Sequence, residues 1–294
     1  MRPYLGLSLG VLAVSFAAVF IRLADAPPLV IAAYRLCLAS FVIAPAALVR
    51  SRKTAVGFSR NWALLALLAG AFLALHFALW ITSLDYTTVA SSVVLLMANP
   101  MFVAVASHWL DGERLTKHLM VGIGLALIGA ICIGYGDFAL SVRALLGDVL
   151  ALLSALALGG YMLMGRRLRA QANLLNYLAL VYTSAAVILL ISATIAGYDF
   201  FGYSGTTYIM LVLLAVVPQL IGHSSLNWAL RLMPATFVTV AILGEPVGAT
   251  LLAYLILAEV PTLAEMGGGL LILCAITVAF WQRPEQLTRG SPMR

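Results

Sequence analysis

Two short stretches of polar and aromatic side chains interrupt an otherwise apolar chain. His76, Trp80 and Ser83 are spaced by four and three residues. Gln219, His223 and Asn227 step by fours, and Trp228 follows directly. Each set shares one face of a helix. The two histidines lie 147 residues apart. A polar group in hydrocarbon either bonds to a neighbouring helix or faces a cavity, and both uses are open for each histidine. Imidazole, amide and indole groups together would suit an amphipathic ligand, with ring stacking as one contribution. The sharpest single feature is Glu245-Pro246, a carboxylate beside a helix-breaking proline inside an apolar segment. Proline removes a backbone donor and frees a carbonyl one turn upstream. Glu245 could bind an ammonium group, carry a proton or pair with Arg35; alternatively, it is a helix-end residue at the interface. Arg35 follows Tyr34 and is either a buried counter-charge or long enough to snorkel outward. Asn99-Pro100 has the same form as Glu245-Pro246, without the charge. Candidate substrate contacts are therefore His76, Trp80, Ser83, Asn99, Tyr161, Gln219, His223, Asn227, Trp228 and Glu245. Glu245 and Arg35 are the candidates for coupling or charge compensation, and Pro100 and Pro246 for helix breaks. Ser15 and Tyr182 are further hydroxyls of weaker standing.

The elements that must position these residues follow from composition. The chain has 294 residues, 63% hydrophobic and 10% charged, against about 25% charged in soluble domains. A bilayer is the solvent that fits. Apolar segments run near Tyr4–Arg22, Pro28–Val49, Trp62–Leu84, Thr87–Leu110 and Leu119–Gly136. Five more run near Leu145–Met164, Tyr177–Ala196, Thr207–Leu230, Ala235–Leu257 and Ala264–Trp281. They lack the alternation of barrel strands, so they read as ten transmembrane helices. Loops of a few residues leave no room for a soluble domain.

Charge sets the expected orientation. With the N-terminus inside, the inner loops carry Arg50, Arg52, Lys53, Arg60, Arg114, Lys117, Arg166, Arg167, Arg169 and Arg231. The outer loops carry only Arg22 and Arg143. Both termini are expected in the cytoplasm of a bacterial-type inner membrane. The net charge of +6 is read as this topology signal, and no nucleic-acid partner is expected. Ala24-Asp25-Ala26 resembles a signal-peptidase site, but Arg22 and Pro27 flank it awkwardly, and the first segment is taken as a retained span. Cys37, Cys132 and Cys274 sit in apolar runs as small buried hydrophobes without disulfide or zinc spacing. Trp62, Trp109 and Trp281 are expected at the interfaces, as are His108 and His118.

The chain also repeats. Asn99-Pro100, Glu113 and Gly122 recur as Glu245-Pro246, Glu259 and Gly268 at a constant offset of 146. Five spans per copy invert the second copy, the arrangement of many secondary transporters. Residues 1–140 and 141–294 are the two expected units, an all-α polytopic membrane protein of two inverted five-helix repeats. The glycines Gly122, Gly124 and Gly129, and Gly267, Gly268 and Gly269, are expected to let the fifth and tenth helices approach closely as a scaffold. Glu113 and Glu259 read as structural residues ending their helices.

On these motifs the chain resembles the drug/metabolite transporter superfamily in its EamA branch. That pattern has a proline in the fourth helix of each half, a glutamate ending it and a glycine-rich fifth helix. The resemblance covers nearly the whole chain and implies a ten-helix exporter of small metabolites working by alternating access. Within the branch the chain is most similar to amino-acid exporters, including the aromatic type.

Other classes fit less well. An intramembrane lipid-modifying enzyme would use His76, His223 and Glu245, yet there is no HExxH or GxSxG motif. No phosphate loop supports ATP-driven pumping, and nothing resembles a channel filter. The candidate faces hold few full charges, so a neutral or zwitterionic metabolite, best an amino acid, is expected over a polyanion. A lipophilic drug is the alternative. The expected partners are the substrate and membrane lipid, with no cofactor and no metal, and a monomer is compatible with the sequence. Topology reporters fused at Arg294 and within residues 50–60 should read as cytoplasmic, and one within 136–145 as external. A periplasmic C-terminus would contradict the inverted arrangement.

Overall fold

A computed structural model describes residues 2–51, 60–111, 116–169, 174–229, 238 and 241–279. Among these residues every regular element is helical. The first span is broken into α1 (Arg2–Ser15) and α2 (Ala17–Leu23), and α3 (Pro28–Ser51) and α4 (Arg60–Ser83) follow. The fourth is broken into α5 (Val89–Leu96) and α6 (Asn99–Asp111). Then come α7 (Lys117–Leu140), α8 (Val142–Arg169) and α9 (Leu174–Ile195). The eighth span runs through α10 (Gly205–Leu214), a π-helical stretch (Ala215–His223) and α11 (Ser224–Ala229). Last are α12 (Gly244–Leu257) and α13 (Leu263–Ala279).

Among the described residues, eight spans are long and apolar enough to cross a bilayer. The described parts of the expected ninth and tenth, α12 and α13, are shorter, at 14 and 17 residues. Large apolar side chains such as Leu5, Phe41, Ile131, Leu255 and Leu270 point outward. In water such a surface would aggregate; in lipid it is the solvated face. Thr88, Thr116 and Ser204 cap α5, α7 and α10, each hydroxyl accepting from the amide three residues on.

Packing is set by small residues. α13 lies along α7, α4 along α8 and α9, and α3 along α9, while α1 contacts the π-helical stretch, α11 and α12. A Cβ on Gly129 would sit 2.7 Å from the Gly268 carbonyl oxygen, and one on Gly268 would sit 2.6 Å from that of Gly129. A Cβ on Gly122 would meet the Ala275 oxygen at 2.7 Å. Gly124 and Gly267 face open space, and Gly269 makes only ordinary contact. Three of the six expected glycines therefore sit at the tight approach.

Two environments differ from the sequence expectation. Cys274 is exposed, because it falls on the outer face of α13. Trp62 is buried at the start of α4, within the core, whereas Trp109 is exposed. Trp281 and Glu113 lie outside the described residues.

At one end of the bundle a polar network ties the segments together. Arg22 Nη2 donates to Glu259 Oε1 at 2.6 Å, and the Val89 amide donates to Glu259 Oε2 at 2.9 Å. Ala258 takes φ 56°, a left-handed turn that ends α12 just before Glu259. Behind this pair, Thr87 Oγ1 lies 2.9 Å from Asp137 Oδ2 and 3.0 Å from Asp148 Oδ1. Ser91 Oγ lies 2.9 Å from Asp137 Oδ2 and 3.0 Å from Glu265 Oε1. Thr88 donates to the same Glu265 oxygen. Thr87 and Ser91 each bring one hydrogen to two carboxyl groups, so the second contact of each is satisfied only when a carboxyl carries a proton.

Gly268→Val should lower the unfolding temperature in detergent, consistent with the roughly 1–3 kcal/mol of an overpacked core, because its branches meet a backbone carbonyl. Gly267→Ala, facing open space, should leave it unchanged or slightly raised. Equal effects of the two would remove the α7–α13 approach as a packing constraint.

Candidate functional site

The middle of the bundle is organised around one side chain. Arg35 lies in α3 about 10 Å along the axis from Pro28, at 1.5 Å per residue. Its relative exposure is 1%, so it turns into the protein and does not snorkel. Nε donates to Gln219 Oε1 at 2.8 Å, and Nη2 donates toward His223 Nε2 at a longer 3.4 Å. The guanidinium carbon stands 4.2 Å over the Phe77 ring and 5.8 Å from the Trp80 ring. Both distances are within cation–π range. Three elements thus converge: α3 brings the charge, α4 the rings and the π-helical stretch the polar partners.

The π-helical stretch was not expected from the sequence, where the eighth span read as a regular helix. Pro218 lies inside it. A proline ring clashes with the carbonyl four residues back, and a wider turn is one way a helix accommodates such a residue. Pro218 was therefore the overlooked signal. Gln219 and His223 still reach the same guanidinium.

His76 is engaged elsewhere. Its Nδ1 lies 2.8 Å from Ser154 Oγ, and that hydroxyl donates to the His76 carbonyl at 3.0 Å. The hydroxyl hydrogen being committed, Nδ1 must carry the hydrogen of their mutual bond. The ring stacks on Trp80 with centroids 6.1 Å apart and a 4° interplanar angle. His76 therefore joins α4 to α8 and backs the Trp80 wall.

The remaining candidates scatter. Ser83 Oγ donates to the Trp80 carbonyl at 2.6 Å and shares a hydrogen with Ser92 Oγ at 2.7 Å. Both partners tie it to the α4–α5 corner. Asn99 Nδ2 donates to the Ala155 carbonyl at 3.0 Å, holding the start of α6 against α8. Ser15 Oγ lies 3.4 Å from the Glu245 carbonyl oxygen and donates to Val11 at 2.9 Å. Tyr161 stacks on Tyr177 at 6.5 Å. Trp228 is 42% exposed and its ring lies against Gly6 of α1, away from the Arg35 contacts. The Asn227 side chain lies outside the described residues.

Pro100 and Pro246 both fall in the first turn of a helix that restarts after a break. A missing N–H is tolerated there. Glu245 opens α12 half-buried. It is within electrostatic reach of Arg35 but forms no ion pair with it; among the described residues the ion pair is Arg22–Glu259. Arg35 and Glu245 are therefore neighbours without direct contact. Sequence reasoning also passed over Asp137, Asp148 and Glu265. Their signal was a concentration of carboxylates at segment ends in a chain with 11 acidic residues.

A bundle of apolar spans with broken helices around a buried, polar and aromatic centre defines a polytopic membrane protein of the transporter kind. The chain belongs to the EamA-like transporter family, which matches residues 1–135 and again 145–281. It is similar to an uncharacterized transporter of Archaeoglobus fulgidus, 24% identical over 278 residues, covering 92% of this chain and 94% of that protein. It is also similar to the uncharacterized transporter YdfC of Bacillus subtilis, 22% identical over 213 residues, covering 71% and 69%. A solved crystal structure shares the fold with a TM-score of 0.65 at 18% identity over 99% of both chains.

Gln219→Leu should cost about 1.5–3 kcal/mol, the worth of a hydrogen bond to a charged group, seen as a lower unfolding temperature. Adding Arg35→Met should restore much of it, because the isolated buried charge is then gone. A single variant as stable as the parent would mean that Gln219 does not hold the guanidinium.

Proposed function

We propose that this chain is a ten-helix secondary transporter that exports small neutral or zwitterionic metabolites, best amino acids, by alternating access. The reading takes residues 1–140 and 141–294 as inverted halves, with both termini in the cytoplasm of a bacterial inner membrane. The observation that carries it is the central cluster: one buried guanidinium, two aromatic faces, an amide and an imidazole, with Glu245 nearby. Such a site offers rings for an apolar body and opposite charges for a zwitterion, without the several cations that a polyanion would need.

Packing supports the inverted reading. The 146-residue offset carries the Gly122–Ala275 approach into Gly268–Gly129. It also carries the break after Leu96 into the one before Gly244, and the contact of α6 with α8 into that of α12 with α1. Two structurally equivalent halves are what a rocking mechanism exchanges. In this orientation the Arg22–Glu259 pair and the carboxyl network close the external end.

Purified protein in proteoliposomes should take up and release some of the twenty amino acids down an imposed gradient, and a lipophilic cation such as tetraphenylphosphonium poorly. The reverse preference would replace this reading with drug export. Glu245→Gln should keep a monodisperse, stable protein while transport falls about tenfold or more, the scale for a hydrogen bond to a charge. Normal transport by that variant would remove Glu245 from the mechanism.

A further inference from the structure

Two buried donors at the centre have no acceptor. Nη1 of Arg35 makes no hydrogen bond within the protein, and neither does Nε1 of Trp80. Both side chains are almost fully enclosed, and the guanidinium carbon stands 5.8 Å from the Trp80 ring. The other Arg35 nitrogens are occupied: Nε by Gln219 and Nη2 by His223. A buried donor left unpaired is costly, and more so when charged. Neither group can accept a hydrogen bond, since guanidinium and indole nitrogens only donate. The missing complement is therefore an acceptor, and beside a cation it is an anion.

We propose that Arg35 Nη1 and Trp80 Nε1 form the subsite for the carboxylate of the transported molecule. Gln219 fixes the guanidinium plane through Nε, the Phe77 ring lies against its face, and His76 backs Trp80 by stacking. Nη1 is thus presented in one orientation. The site holds a single guanidinium, which a monoanionic carboxylate neutralises, whereas a phosphate dianion would remain under-compensated. Glu245, within electrostatic reach of Arg35 but not in contact with it, is placed to face the ammonium end of the same molecule. The substrate class is then an α-amino acid, recognised at both charges with its side chain against the aromatic wall. Closure of the site by Glu245 itself is the competing account, since a swing of that carboxylate onto Nη1 would satisfy the donor without ligand.

The inference rests on the amino-acid reading above, and the experiment separates the two. Uptake and ligand-induced thermal stabilisation are measured with phenylalanine, phenylalaninamide and phenethylamine, on the parent protein and on Arg35→Gln and Arg35→Lys. The parent should transport phenylalanine about tenfold or more faster than the amide or the amine, the scale for a lost charge-assisted hydrogen bond. Arg35→Gln should lose phenylalanine transport and this preference together. Arg35→Lys should retain a reduced preference, keeping the charge but not the fork. Equal handling of acid and amide by the parent overturns the subsite while leaving the transporter reading intact, and needs no variant to fold. Arg35→Gln that is folded and keeps the preference for acid over amide overturns it as well. Glu245→Gln that abolishes the acid preference while Arg35→Gln retains it assigns the recognition to Glu245 and overturns it too. If the parent transports none of the three and none of the twenty amino acids, the proposed function fails and the subsite with it.

Discussion

A peptide group in hydrocarbon has no water to bond to, and every feature of this chain answers to that constraint. Backbone amides and carbonyls must pair within their own segment, which forces helices. Once the helices form, apolar side chains gain nothing by leaving lipid for one another. What brings helices together is close contact and the polar groups that would otherwise be stranded. The α7–α13 pair illustrates the first cause: Gly129 and Gly268 bring two backbones within reach of each other's carbonyls. His76 and Ser154 illustrate the second, exchanging two hydrogen bonds across α4 and α8. Neither cause requires a large apolar residue at the interface.

The same constraint locates the places where helices stop being regular. The breaks fall between α1 and α2, between α5 and α6, in the π-helical stretch and before α12. Irregular backbone at membrane depth is tolerated where protein or a cavity surrounds it. Here side chains from other elements stand beside the breaks. Asn99 at the start of α6 holds the Ala155 carbonyl of α8, and Ser15 at the end of α1 approaches the Glu245 carbonyl of α12. The π-helical stretch presents Gln219 and His223 to Arg35. Broken segments thus face the centre, whereas α7 and α13 run unbroken along each other.

Much of this was legible in the sequence because membrane insertion leaves coarse marks. Apolar runs of spanning length locate the segments, and Pro100 and Pro246 locate two restarts. The polar residues of α4 and the eighth span pointed to Gln219 and His223 as residues that meet. What sequence could not assign was the partner of each polar group. His76 and His223 look equivalent by spacing, yet one bonds to Ser154 and the other approaches Arg35, because different helices lie opposite them. Trp80 and Trp228 both read as candidate substrate contacts, but a helix carries side chains on every face, and Trp228 turns toward Gly6. Ser83 shares a face with His76 but lies at the helix end, where Ser92 captures it. The six glycines were alike in type, and only the facing backbone distinguishes Gly268 from Gly267. The carboxylates at segment ends were passed over because attention to mid-segment charge excludes them, although three converge on two hydroxyls.

Charge placement joins these observations. Two groups of charged side chains in the described spans follow opposite logic. At the end of the bundle, carboxylates are engaged locally: Glu259 pairs with Arg22, and Asp137, Asp148 and Glu265 are hydrogen-bonded to the hydroxyls of Thr87, Thr88 and Ser91. That group ties α5, α7, α8 and α13 together through its own members, although Asp137 Oδ1 and Asp148 Oδ2 have no hydrogen-bond partner. The central group is left open. Arg35 has neutral partners for two of its nitrogens, an aromatic face beneath it and no carboxylate in direct contact. Were a fixed anion bonded to Nη1, the centre would be a structural salt bridge like Arg22–Glu259, and it would compete with any anionic ligand. Neutral partners orient the guanidinium without cancelling it. At the end of the bundle charge is held among neighbouring side chains that tie helices together; at the centre a guanidinium is oriented by neutral partners and left without a fixed anion.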